Sequence, residues 1–108
     1  MLRCFEFEVP EGENFDELNI YCPYLNIQEL PLDIRIYFDN EKRHIQRTNS
    51  RKLIDKSSAI ISSIDVPVMG TNIKSVQIKI DTPIMTKITI TPLRKKRPLR
   101  QVVVLETS

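Results

Sequence analysis

Strict two-residue alternation of apolar and polar side chains is the feature that most limits what this chain can fold into. It is cleanest in Lys74-Ser75-Val76-Gln77-Ile78-Lys79-Ile80 and in Met85-Thr86-Lys87-Ile88-Thr89-Ile90-Thr91. Successive side chains of an extended strand project to opposite faces, a period that no helix reproduces. Val76, Ile78, Ile80, Ile88 and Ile90 are therefore predicted to share a buried side. Ser75, Gln77, Lys79, Lys87 and Thr89 then face water. Strands that are dry on one face and wet on the other belong to antiparallel sheets.

The same reading extends along the chain. Leu2–Val9 is a first strand, with Phe5, Phe7 and Val9 inward and Glu6 and Glu8 outward. Pro10-Glu11-Gly12-Glu13-Asn14 is a turn cluster, Phe15–Cys22 a second strand closed by Pro23. Tyr24–Leu30 fits either a strand or a short helical turn, and Pro31 closes it. Leu32–Phe38 alternates again, Asp39-Asn40 suits a two-residue hairpin turn, and Glu41–Thr48 returns as a strand polar enough for a sheet edge. Thr48–Ser58 reads as one turn of helix capped by Asn49 or Ser50, or equally as a loop. Ala59–Asp65 is a further strand. Pro92 is expected to end the strand carrying Ile88 and Ile90, Leu93–Pro98 to be a basic connection, and Leu99–Glu106 to be the last strand. About eight short strands joined by turns predict one all-β domain over residues 1–108, a two-sheet antiparallel β-sandwich of jelly-roll type, with a small barrel as the alternative.

Bulk properties agree with a single core. A chain of 108 residues buries roughly two-thirds of its unfolded surface. Phe5, Phe7, Phe15 and Phe38 supply most of the aromatic bulk, and there is no Trp. No apolar run approaches the roughly 18 residues of a membrane-spanning helix, so no membrane partner is expected. Strand-like residues begin almost at Met1, so no targeting segment is expected, and Cys4 and Cys22 do not make the disulfide framework of a small secreted domain. An intracellular or cytoplasmic protein with reduced thiols is the expectation.

Signatures of chemistry are sparse. His44 is the sole histidine, and Cys4, Cys22 and His44 contain no close-spaced ligand pair of the zinc type. Gly12 and Gly70 are the only glycines, too few for a phosphate-cradling loop, and no serine sits in a nucleophile elbow. Cys4 or Cys22 acting with His44 is the one arrangement an enzyme reading can use. A small buried thiol and a histidine in a run of exposed charges explain those residues more simply. Glu6 with Glu8, and Glu11 with Glu13, read as solvated surface; Asp39, Asp65 and Asp81 are too scattered to suggest calcium. The expectation is a protein that is not an enzyme and takes no metal and no cofactor.

Surfaces carry more information. Arg94-Lys95-Lys96-Arg97, with Arg100 close by, places four consecutive cations between Pro92 and Pro98. Lys42, Arg43 and Arg47, followed by Arg51, Lys52 and Lys56, form a second basic region. Together they would make a surface for a phosphate backbone, although the net charge of +2 is too small to imply nucleic acid alone. Tyr21, Tyr24 and Tyr37 offer a shallow platform for a carbohydrate, which normally stacks on exposed rings. The apolar run Val102-Val103-Val104-Leu105 reads as buried on both sides, either as a central strand of its own sandwich or by a partner subunit. Without a motif tying the chain to a known family, the leading expectation is a non-catalytic protein–protein assembly module. It would form a homo-oligomer or join a larger complex, such as a small structural component of a viral or phage particle. Nucleic-acid binding through residues 94–100 and carbohydrate binding are the alternatives.

Overall fold

The alternating segments fold as strands, and their branched side chains turn to one interior. The computed structural model describes residues 2–23, 26–27, 30–39, 42–47, 62–68, 71–82 and 87–107, with 43–47 described by their backbone alone. Nine strand segments lie among these residues: β1 (Leu2–Glu8), β2 (Glu17–Tyr21), β3 (Leu32–Tyr37), β4 (Lys42–Arg47), β5 (Ser63–Pro67), β6 (Ser75–Asp81), β7 (Lys87–Arg94), β8 (Arg97–Pro98) and β9 (Val102–Leu105). No helix among the described residues is long and apolar enough to cross a membrane.

All pairings between these strands are antiparallel, and they build two sheets. The first runs β1-β6-β3-β4; the second runs β5-β2-β7, with β8 and β9 both on the far side of β7. Side-chain rows cross the strands where the pleat requires. Phe5, Ile78 and Ile34 stand opposite one another in the first sheet, and Phe7, Val76 and Ile36 make the next row. Ile20 faces Ile90 in the second. All of these are buried, and the two inner faces form one core. Each such side chain contributes about 1.5–3 kcal/mol by leaving water. Phe15, in the connection after β1, adds a tilted ring contact to Phe7 with centroids 6.4 Å apart.

Among the described residues, the sandwich is closed along the side where β1 meets the end of β9. Phe5 of β1 bridges Glu106 beyond β9, and the Thr107 N–H donates to the Cys4 carbonyl at 2.8 Å. Arg3, on the inward register of β1, reaches both carboxylate oxygens of Glu106 at 3.2 Å. β4 and β5 are the remaining edges, and the polar segment predicted for an edge does lie at one as β4.

Several sequence expectations are corrected. Pro92 does not end its strand, because β7 continues through it to Arg94. The Pro92 carbonyl accepts the Leu99 N–H at 2.9 Å, so the missing proline N–H faces the same side. There the neighbour of β7 changes from β9 to β8. Pairing shifts from Ile90↔Val102 to Leu93↔Pro98, three steps on β7 against four on the other side. The extra residue is a bulge, and a proline fits where the ladder is already interrupted. Leu93–Pro98 is accordingly no loose connection: β7 and β8 form a hairpin in which Arg94 pairs with Arg97 around Lys95 and Lys96. The last strand spans Val102–Leu105 and is not a central strand covered on both faces by its own sandwich. Val104 is buried, whereas Val103 and Leu105 are 61% and 67% exposed, because β9 lies at the margin of its sheet and not at its centre.

The remaining segments differ in detail. The described part of Tyr24–Leu30 is a turn, with Ile27 buried and its carbonyl accepting the Leu30 N–H at 3.3 Å. The strand predicted over 59–65 is observed as Ser63–Pro67. Residues 48–61, Asn40, Glu41, Met85 and Thr86 lie outside the described residues, and with them the predicted helical turn or loop and half of the 39–40 turn.

Candidate functional site

Two surface features stand out, both on the second sheet. The first is the basic hairpin. Arg94, Lys95, Lys96 and Arg97 are all exposed. Lys95 and Lys96 have φ of 51° and 67°, so both central residues of the two-residue turn occupy the left-handed region. That backbone matches the twist of a tight hairpin but is normally supplied by Asn and Gly. Arg94 and Arg97 stand directly opposite each other, a like-charge pair that destabilises a ladder.

A seat of carboxylates holds the hairpin from one side. Asp16 Oδ2 accepts the Lys95 backbone N–H at 3.1 Å, and Lys96 Nζ lies 3.0 Å from Glu17 Oε1. Hydrogen bonding and charge from Glu17, with Asp65 and Asp16 further off, hold the Lys96 ammonium above the ordinary lysine range. Arg100 grips Glu13 with two nitrogens, at 2.9 and 3.2 Å, and lies 5.4 Å over the Phe7 ring. Lys96 and Arg100 are thus anchors. Arg94, Lys95 and Arg97 make no side-chain ion pair among the described residues.

The second basic region does not join the first by topology. Lys42, Arg43 and Arg47 are on β4, whose strand neighbour is β3, at the edge of the first sheet away from β1. Lys42 is exposed. The register sets Arg43 opposite Ile36 and Arg47 opposite Leu32. The hairpin belongs to the second sheet, on the side where β9 meets β1. Arg51, Lys52 and Lys56 lie outside the described residues.

The second feature is apolar. On the outer face of the second sheet the register lines up Ser63, Tyr21, Thr89 and Val103 in one row, with Lys87 and Leu105 in the next. Tyr21 is 42% exposed, and Thr89 between it and Val103 is short and half-buried. Of the predicted interface strand, then, Val103 and Leu105 face outward while Val104 is buried and Val102 is half-buried against the core.

Groups weighed for catalysis or ligation are scattered. Cys22 is buried, which pushes its thiol up to about 12, and Cys4 is half-buried; both are free. Cys4 lies on β1 and His44 on β4, the two edges of the first sheet, three strand spacings or roughly 14 Å apart. Tyr21 and Tyr37 belong to different sheets, and Tyr24 lies outside the described residues. Asp39, Asp65 and Asp81 are on separate elements; Asp65 accepts the Asn19 amide at 2.9 Å. An open cleft of about 350 Å³ is lined by Glu11, Glu13, Asn14, Asp39, Asn72 and Lys74. Glu13 is engaged by Arg100 and Asp39 by Lys74 at 3.5 Å, and no cluster of His, Cys, Asp and Glu fit for a metal ion occurs among the described residues.

Two structural cations escape a composition-based reading. Arg100 was legible only as part of the basic run, and Arg3 not at all. An arginine on the same alternation as Phe5 and Phe7 was the available signal: a charge on the core-facing register needs a partner, here Glu106 and the Thr82 carbonyl. No protein-family model, curated protein or solved structure matches this chain.

Proposed function

We propose that this protein is a non-catalytic assembly module that pairs with a second copy of itself through the outer face of its second sheet. One observation carries the reading: Val103 and Leu105 are both exposed on the outer face of β9, Val103 in register with Tyr21 across Thr89 and Leu105 one row along, opposite Lys87. Single exposed aliphatic residues are ordinary, but Tyr21, Val103 and Leu105 are three exposed apolar side chains on one sheet face, uncovered among the described residues. Thr89, half-buried, stands lower than the exposed Tyr21 and Val103 on either side of it. A copy related by a two-fold axis can set its own Val103 and Leu105 against the same residues, the self-complementarity a closed dimer requires. Sheet faces pack in this way with strands nearly aligned. Membership of a larger complex, including a viral or phage particle, is a finer form of the same reading and rests on the compact β fold and this face.

The test is light scattering at micromolar concentration on the wild type and on Val103→Lys/Leu105→Lys. Both positions are on the surface, so a thermal melt should show the variant folded. The wild type is expected at twice its 12.6 kDa chain mass and the variant at the chain mass. A strictly monomeric wild type, or a dimer that survives both substitutions, overturns the proposal.

A further inference from the structure

We propose that the β7–β8 hairpin is a second, separate site that takes the phosphodiester backbone of nucleic acid through Arg94, Lys95 and Arg97. Three locally unfavourable choices coincide within four residues: a cross-strand arginine pair and two consecutive lysines in the left-handed region. The other described residues with positive φ are Asn72 and Gly12, the two residue types that tolerate that region, so the lysine pair is the exception. Rules broken together at one exposed tip, with a carboxylate seat built to hold that tip, are expected where a surface is kept for binding.

The cations divide into two sets. Lys96 leans to the outer face of the second sheet, where Glu17 and Asp65 lie. Arg94 follows Ile88, Ile90 and Pro92 on the inward register, beyond the end of the core, and Arg97 pairs with it. The pleat therefore projects the two guanidinium groups from the ribbon face opposite Glu17 and Asp65. On the other flank Glu13 is saturated by Arg100. Two guanidinium forks on neighbouring strands, with the Lys95 ammonium between them, fit the oxygens of phosphate. No aromatic residue occurs from Thr91 to Gln101, so bases have nothing to stack on and recognition is indifferent to sequence. Five cations (residues 94–97 and 100) offset by four carboxylates (Glu13, Asp16, Glu17, Asp65) leave little net charge to attract an acidic protein, so the site depends on the direct contacts of Arg94, Lys95 and Arg97. Binding must then draw on release of the counterions condensed along a densely charged polymer.

The experiment is fluorescence anisotropy with labelled single-stranded and duplex oligonucleotides of mixed sequence, on the whole chain. With three phosphate contacts, raising salt from about 50 to about 200 mM should weaken single-strand binding about 20-fold and duplex binding about 40-fold. Arg94→Ser/Arg97→Ser, reduced to one contact, should bind far more weakly and retain only about a threefold salt dependence. Arg94→Ser alone leaves the turn and its seat in place and keeps the test decisive if the double variant fails to fold. Absence of binding at the lower salt overturns the proposal, as does affinity unchanged in both variants. Competition by polyglutamate as strong as by oligonucleotide would assign the hairpin to acidic proteins instead and equally overturns it.

Discussion

The left-handed turn at Lys95 and Lys96 can be tested through backbone energetics alone. At φ of 51° the Lys95 Cβ crowds its own carbonyl, which costs about 1–2 kcal/mol for an ordinary side chain. Asparagine tolerates this region through local hydrogen bonding, whereas a β-branched residue is its worst occupant. Lys95→Asn and Lys95→Val remove the same charge and leave the backbone N–H on Asp16, so electrostatics cancel between them. The asparagine variant should be more stable than wild type by about 0.5 kcal/mol and the valine variant less stable by about 1.5 kcal/mol. Their gap of about 2 kcal/mol corresponds to roughly 8 °C in melting temperature for a domain of this size. Urea unfolding and thermal melts followed by far-UV circular dichroism measure it. Coincident midpoints for the two variants would refute the left-handed assignment.

Two further predictions concern the core. Ile78 is fully buried between Phe5 and Ile34, so Ile78→Ala should cost about 2–5 kcal/mol in urea unfolding, against less than about 0.5 kcal/mol for the adjacent Gln77→Ala; equal costs would refute the one-sided burial, and a larger cost at Gln77 would show that the pleat faces the other way. Burial raises the Cys22 thiol from 9.0 to about 12, so above pH 9 the unfolded chain loses a proton that the folded chain keeps. The stability this group contributes is whole below pH 9 and declines by about 1.4 kcal/mol per pH unit as pH climbs from 9 toward 12. Relative to Cys22→Ala, the wild type should lose stability more steeply across that window; parallel curves would contradict a buried neutral thiol.

What was legible in the sequence was which way side chains face. Val76, Ile78, Ile80, Ile88 and Ile90 are all buried, as two-residue alternation requires, and the polar segment at Lys42–Arg47 does lie at an edge. Alternation carries no information about partners, however, because any strand with a dry face satisfies it. That β6 sits between β1 and β3 while β7 crosses to the other sheet is decided by closure of the whole core. Pro92 misled because its lost donor matters only if a neighbour needs it, and the bulge beside it removes the need. Whether the run Val102–Leu105 is a central strand was not legible, because four apolar residues in a row look the same at the centre of a sheet and at a margin whose outer face is exposed. At the hairpin the charges were visible, but their division into anchors and presented groups depends on Asp16, Glu17 and Glu13, far away in sequence.

The seam between β1 and β9 sets how this molecule must fold. Arg3 and Glu106 meet across 103 positions, and closing so long a loop costs about 4 kcal/mol of chain entropy before their contact returns anything. Topologies dominated by such distant pairings fold in milliseconds to seconds and not microseconds. Until the seam shuts, the two sheets gape along one side, and Phe5 and Val104 remain within reach of any foreign strand that arrives first. Zipping that margin is therefore a race against aggregation, one that grows harder with every increase in concentration.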